Sequence, residues 1–365
     1  MAQCQGSFRA LVLYDVAEQI RLEELQRMLG VEPGGREPSF VRPAPDYVRF
    51  ERPPVMEPLG PVHLPTGHQF QGRLKYYDYG VVSVELEYHF SLQWAELIRL
   101  SASWIAAEEI EDLAFGIVRA HLKSAAPALV KEATQWLSED YYVIHVREAK
   151  EHPEDKPLTA GELLALRGHE IAQLVRGEVQ PLSGMERAEV LRSVVSYYPS
   201  DLIVVGWISA FTYDSIQGAA PTIQLLEYAN TQLVEFRHYD EVLTRVLSSV
   251  YQSLERRSGI LSRWRLAREA AVLNTLRLDI TELAERTDNA IKFLSDMFYA
   301  RVYRLAADRI GVSDYRKLVD DKLRTAGELY QFMMNEFHQG RAFVLELMIV
   351  LILIVDLYYL FSGAK

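Results

Sequence analysis

Apolar and polar positions change period twice along this chain. Short alternating runs give way to a helical repeat, and that to an almost unbroken apolar run. Phe8–Val16 is apolar and β-branched and predicts a strand. Ala17–Leu29 carries Ile20, Leu22, Leu25, Met28 and Leu29 on one stripe, a helix that Gly30 stops. Residues 31–65 hold nine of the fifteen prolines and predict an extended linker or long surface loop, because proline fixes φ and removes a donor. Arg73–Tyr79 and Val81–His89 alternate about Gly80, as two strands joined by a tight turn. Trp94–Trp136 predicts helix in two or more pieces, and Tyr141–Glu148 a further strand. The order β-α-β-β-α-β predicts a ferredoxin-like head with an enlarged second crossover. Thr159–Arg176 and Met185–Val195 predict short helices. Asp201–Tyr213 predicts a buried strand that adds to the same sheet, since it is too short to span a bilayer.

From residue 222 the repeat becomes helical. Leu226, Ala229, Leu233, Phe236, Asp240, Leu243, Leu247, Val250 and Leu254 follow three-four spacing. After a turn at Ser258-Gly259, Leu273, Leu276, Ile280, Leu283, Thr287, Ala290, Leu294, Met297 and Arg301 repeat it. After a break at Gly311–Ser313, with Ser313-Asp314 as an N-cap, Tyr315, Val319, Lys322, Ala326, Leu329 and Met333 give a third stripe. The first two helices are long, about 50 and 70 Å, and a short turn between them predicts an antiparallel pair. Folding back about Gly259 brings Asp240 near Arg277, and an ion pair with Arg277 or a neighbour is expected. Asp240 facing water at a helix distortion is the alternative.

The last run is AFVLELMIVLILIVDLYYLF, residues 342–361. Twenty helical residues span about 30 Å, the hydrocarbon thickness of a bilayer. Two acids lie within it, Glu346 and Asp356, each costing about 2.5–3.5 kcal/mol at a membrane centre. Glu346 falls near one boundary, and Asp356 lies beside Tyr358 and Tyr359 near the other. The expected architecture is α+β in three parts. Residues 1–221 form the ferredoxin-like α/β head. Residues 222–341 form a long antiparallel helical hairpin or coiled coil. Residues 342–361 form a C-terminal transmembrane tail anchor, with Arg341 favouring a cytoplasmic body. The alternative for the tail is a buried oligomerising helix. The two acids are ten positions apart and do not share a face, so a helix partner fits them better than an ion path.

Charge and composition narrow the function. Residues 1–221 carry 20 Lys/Arg and 31 Asp/Glu, and residues 222–341 carry 18 and 17. An acidic head argues against nucleic-acid binding there, because phosphates need a basic face. The single cysteine, Cys4, builds no disulfide framework or thiolate zinc site, and no signal peptide is expected at the N-terminus.

Three stretches carry a family resemblance: LELMIVLILIVD at the tail, KYYDYGVVSVEL at 75–86, and TIQLLEYANTQLVEFRHYDEVL at 222–243. Together they resemble the YagE / required-for-meiotic-nuclear-division family, with Glu346 and Asp356 at its two acidic positions. Residues 284–300 depart from that family's pattern. The resemblance implies a membrane-associated protein without established enzymatic chemistry.

The search for chemistry finds no phosphate-binding loop, no nucleophile elbow and no H-E-x-x-H. Glu235–His238 is an E-x-x-H on a helix without the second pair a di-iron bundle needs. His63 and His68 lie in the Pro-rich loop away from carboxylates. No cofactor or metal is expected. Asp78 in YYDYG is a turn former or part of a binding surface. Arg256, Arg257, Arg263, Trp264, Arg265 and Arg268 cluster at the hairpin tip. They complement a helix dipole or meet an anionic partner. Thr287-Asp288-Asn289 interrupts the second seam as a register device. The expected function is a membrane-anchored, non-enzymatic scaffold that self-associates or binds a protein through its helices. The alternatives are a small-molecule-sensing head or an enzyme with an unrecognised site in the head.

Overall fold

The computed structural model describes residues 3–30, 53–64, 66–152, 154–255, 260–289 and 297–362. Contacts gather them into two units. The first is Met1–His238 with Arg286–Arg316, and the second is Tyr239–Glu285 with Lys317–Lys365.

In the first unit eight strands form one sheet. They are β1 (Gln3–Ile20), β2 (Val55–His63), β3 (Gln69–Tyr76), β4 (Val81–Gln93), β5 (Leu129–Lys150), β6 (Val194–Val195), β7 (Leu202–Val205) and β8 (Ser209–Tyr213). Their order is β2-β3-β4-β1-β5-β8-β7-β6, antiparallel throughout except for the parallel β5–β8 pair. This corrects the expected ferredoxin-like head. The four strands of the predicted head are joined by β2 at one edge, and at the other by the stretch expected as one added strand, which forms β8 and β7, and by β6. The reason lies in two stretches. The end of the Pro-rich segment forms β2, which tolerates Pro58 and Pro61 because it is an edge strand, with an irregular register between them. The apolar run at 201–213 turns back at Gly206–Ile208 and makes two strands. Residues 31–52 of the predicted loop lie outside the described residues.

Helices cover the sheet: α1 (Leu22–Leu29), α2 (Trp94–Ile105), α3 (Glu108–Ala125), α4 (Ala160–Arg176), α5 (Gly184–Val190), the first part of α6 (Ile216–Glu255) and α8 (Met297–Ile310). Side chains alternate across a strand, so each strand serves two layers. Phe8, Val12, Tyr14, Val82, Val84, Leu74, Tyr142 and Ile144 point to one face and share an apolar core with α2, α3 and α4. Trp94, Leu97, Ile110, Val118, Leu163 and Ile171 supply the helical half of that core. Thr159 caps α4, with Glu162 returning a bond to the Thr159 backbone. Pro127 sits in a short 3-10 turn after α3, which ends the helix there. Leu129–Trp136, expected as helix, opens β5 instead.

In the second unit the rest of α6 packs with α7 (Ile260–Asn289) and α9 (Val312–Ser362). Leu247, Val250, Ala270, Leu273, Ala326 and Met333 form its core. The tail is not a separate segment, because α9 runs unbroken from the third stripe into it. Among the described residues no helix is long and apolar enough to cross a membrane. That overturns the transmembrane tail anchor and the single-pass placement built on it. The two acids oppose insertion, each costing about 2.5–3.5 kcal/mol at a membrane centre. Between Glu346 and Asp356 the run Leu347–Val355 is nine residues, about 14 Å of helix against a ~30 Å hydrocarbon layer.

The β3–β4 turn is built on Gly80, whose φ is +99°. Its carbonyl accepts from the Val16 N–H at 3.1 Å, and a Cβ there would sit 1.6 Å from the Ala17 carbonyl oxygen. Gly80→Ala is therefore expected to cost more than about 2 kcal/mol, read as a lower urea midpoint. An unchanged midpoint would show that the turn yields freely.

Candidate functional site

The opposite face of the sheet mixes buried apolar side chains, Leu11, Leu13, Tyr141 and Val143, with a cluster of charged groups. Arg9 of β1, Arg73 and Lys75 of β3, and Ser83, Glu85 and Glu87 of β4 share it by alternation and register. Arg9 Nη2 meets Glu87 Oε1 at 2.7 Å, and its other terminal nitrogen pairs with Glu85. Lys75 Nζ lies 2.8 Å from Glu85 Oε2, and Arg73 Nε 3.4 Å from the same oxygen. Three bases thus face two carboxylates from the strands.

The third carboxylate comes from α6. Glu227 is fully buried, accepts from Ser83 Oγ at 2.7 Å and pairs with Lys75. Close by, the Tyr79 and Thr231 hydroxyls share a hydrogen bond of 2.7 Å. Thr222, Asn230, Thr231, Gln232 and Glu235 are also buried on α6. Asn230 donates to the Leu226 carbonyl and Thr231 to the Tyr228 carbonyl. Tyr303 of α8 donates to Gln232. Further along, His238 Nδ1 is 2.6 Å from Asp15 Oδ2, and Arg237 pairs with Glu139.

Burial sets the protonation of this layer. It pushes the Tyr77 hydroxyl well up, helped by the Glu227 and Glu85 charges. Burial alone would lower Lys75, but Glu227 and Glu85 outweigh it and hold the ammonium charged. Burial alone would raise Glu85, but Lys75, Arg9 and Arg73 outweigh it and bring its carboxyl down to about 2. His145, on the same face, is lowered by burial, and its Nε2 lies 2.9 Å from the Asp214 carbonyl. The arrangement is a charge-balanced lock of three bases and three carboxylates, with Arg73 at its exposed rim. It fastens a helix to a sheet.

A groove of about 630 Å³ opens on the other side, where Trp94, Ile98 and Arg99 of α2 face Arg167 and Gln173 of α4. Glu151 grips Arg167 through both carboxylate oxygens at 2.8 Å, and Glu170 holds it at 3.0 Å. Arg99 makes no ion pair among the described residues.

The predicted residues fall in several places. Asp240 is paired, but with Lys322 of α9 (2.5 Å) and not with Arg277, which donates to Asn274 at 3.1 Å. Arg256 and Arg257 lie outside the described residues, as do the side chains of Arg263, Trp264 and Arg265. Arg268 is exposed on α7. The side chains of Thr287-Asp288-Asn289 also lie outside the described residues. Glu346 and Asp356 are exposed on α9. His63 ends β2, and His68 stands edge-on to Trp104 at 5.2 Å. Asp78 lies in the Gly80 turn, where its carbonyl accepts from the Ile20 N–H. Among the described residues no group of three or more His, Cys, Asp or Glu could hold a metal ion. The buried lock escaped the sequence reading, although Arg73-x-Lys75 and Glu85-x-Glu87, opposite in charge across a tight turn, were its signal.

Glu85 gives the lock a pH dependence. Its folded pKa lies below the unfolded carboxylate value of ~4.3, so its contribution is complete above that value and is lost as pH falls toward 2. The loss is expected to reach about 3 kcal/mol at most. Denaturant titrations from pH 7 to pH 3 should show a steeper fall for the natural chain than for Glu85→Gln. Equal slopes would contradict the assignment.

The model of the family described as "Uncharacterized protein MJ0711, N-terminal domain" matches residues 5–219. Uncharacterized protein MJ0711 of Methanocaldococcus jannaschii is 19% identical over 187 residues, which is 51% of this chain and 57% of that protein. The chain thus spans a little over half the length of this curated relative. No solved structure matches it. These findings replace the YagE / required-for-meiotic-nuclear-division resemblance. Its motifs were an aliphatic run between two acids, an aromatic–Asp–Tyr–Gly turn and a long-helix stretch at 222–243, and apolar helix ends, tight hairpins and long helices of many folds can supply them. The matched stretch takes in the strands and helices of the head up to the start of α6, and it covers more than half of the 365 residues. The chain belongs to the family of the MJ0711 N-terminal domain.

Proposed function

We propose that this protein is a non-enzymatic scaffold that assembles through the end of α9. One observation carries the reading. Thirteen large apolar side chains from Leu345 to Leu360 are each 43–74% exposed. At roughly 100 Å² apiece they offer about 1,300 Å², more than the ~300–600 Å² patch of a typical monomer and the ~800 Å² each partner gives a standard interface. A helix apolar on every side needs cover. A second copy of the same chain supplies cover of matching chemistry. The charge lock supports the same reading, because its ionisable groups are consumed by one another and leave no open acid–base pair.

A second reading is a head that binds a small molecule. The groove beside Trp94 favours it, with apolar walls and Arg99 as a polar handle.

Sedimentation of the full chain tests the assembly reading. The full chain should sediment as an oligomer, and a chain lacking residues 342–365 as a monomer with an unchanged melting temperature. A full chain that stays monomeric in buffer, or that enters lipid vesicles without self-association, would overturn it.

A further inference from the structure

The end of α9 does not begin a new pattern. Val319, Lys322, Ala326, Leu329 and Met333 are spaced alternately by three and four. In the second unit this strip faces the chain's own helices. Lys322 bonds Asp240 and Thr244 of α6, and Ala326 and Met333 share a core with Val250 and Leu273. The same alternation, carried on from Met333 through Glu336, Gly340 and Phe343, arrives at Leu347, Val350, Ile354 and Leu357.

The neighbours stop before the strip does. Glu255, the last residue of α6, lies fifteen positions beyond Asp240, which brings it level with residue 337. Helix α7 runs the other way. Arg277 lies 3.3 Å from where a Cβ on Gly327 would be, so Ile260 at its start comes level with about residue 344. The described apolar side chains are exposed from Leu345 onward.

We infer that Leu347, Val350, Ile354 and Leu357 form the inner seam of a bundle of three or more copies of this chain. The inference rests on the assembly reading and names its interface. Within each chain the strip is closed by α6 and α7, and past their ends α9 helices of other copies close it. In heptad terms the four residues take the a and d positions. A two-stranded seam buries a and d only. Leu351, Leu353 and Leu360 stand at the flanking e and g positions and are half-exposed or more, so covering them requires further helices. Glu346 falls at a flanking position and Asp356 on the outer side. Neither acid stands at an a or d position.

The test compares two substitutions one turn of helix apart or less. Ile354→Asn strikes the seam, and Ile352→Asn the outer face. Both are exposed in the single chain, so the melting temperature of each should stay unchanged. In sedimentation equilibrium and native mass spectrometry the full chain should appear as three or more copies. Ile354→Asn should raise the dissociation constant about 100-fold or more, and Ile352→Asn less than about 5-fold. A monomeric natural chain would sink the assembly reading and the seam together. An oligomer weakened equally by both substitutions, or a strict dimer, would sink the seam alone.

Discussion

A buried ion pair between Lys75 and Glu227 is the constraint on which the head depends. One face of the sheet solves its packing with apolar side chains and three helices. The other face carries Arg9, Lys75, Glu85 and Glu87 into the interior, where a charge without a partner is untenable. The strands balance most of this among themselves, and α6 completes it with Glu227. This explains why α6 carries Glu227, fully buried, among apolar neighbours such as Leu226 and Tyr228. It also explains why the first part of α6 belongs with the head, although the chain continues as one helix into the second unit.

The second unit solves a different problem. Its core is small and apolar, and Asp240 with Lys322 is the polar contact that fixes α9 against α6. Past the ends of α6 and α7 the same strip of α9 loses its cover. One helix therefore carries a satisfied strip and an unsatisfied one in a single register.

Much of this was legible in the residues. Alternation placed β1, β3, β4 and part of β5. Three-four spacing placed α6 and α9. The second stripe, read as one helix to Arg301, falls on α7 and α8, with 290–296 outside the described residues. The helix expected over Thr159–Arg176 is α4. Three readings failed, each for a physical reason. Prolines at 58 and 61 signalled a loop, but an edge strand has no inner partner on one side and accepts them. The apolar run at 201–213 gave no sign of its hairpin, because both of its strands are buried and Gly206 alone marks the turn. The tail's mean apolarity suggested a bilayer span, but Glu346 and Asp356 stand inside the run with nine residues between them. The lock was the least visible feature. Its strand half was written in the alternation of Arg73, Lys75, Glu85 and Glu87, but Glu227 is a single acid in a long helix and only the fold shows where it goes.

A double-mutant cycle tests the lock most directly. Lys75→Met, Glu227→Leu and the double variant would be compared with the natural chain by urea denaturation at pH 7. If the two charges hold α6 on the sheet, Lys75→Met leaves Glu227 with Ser83 alone, Glu227→Leu leaves Lys75 with Glu85 alone, and each costs about 3 kcal/mol or more. The double variant should then recover much of that loss, giving a coupling of about 2 kcal/mol or more. Effects that simply add, to within about 0.5 kcal/mol, would mean that the two groups do not depend on each other and that α6 is held by something else.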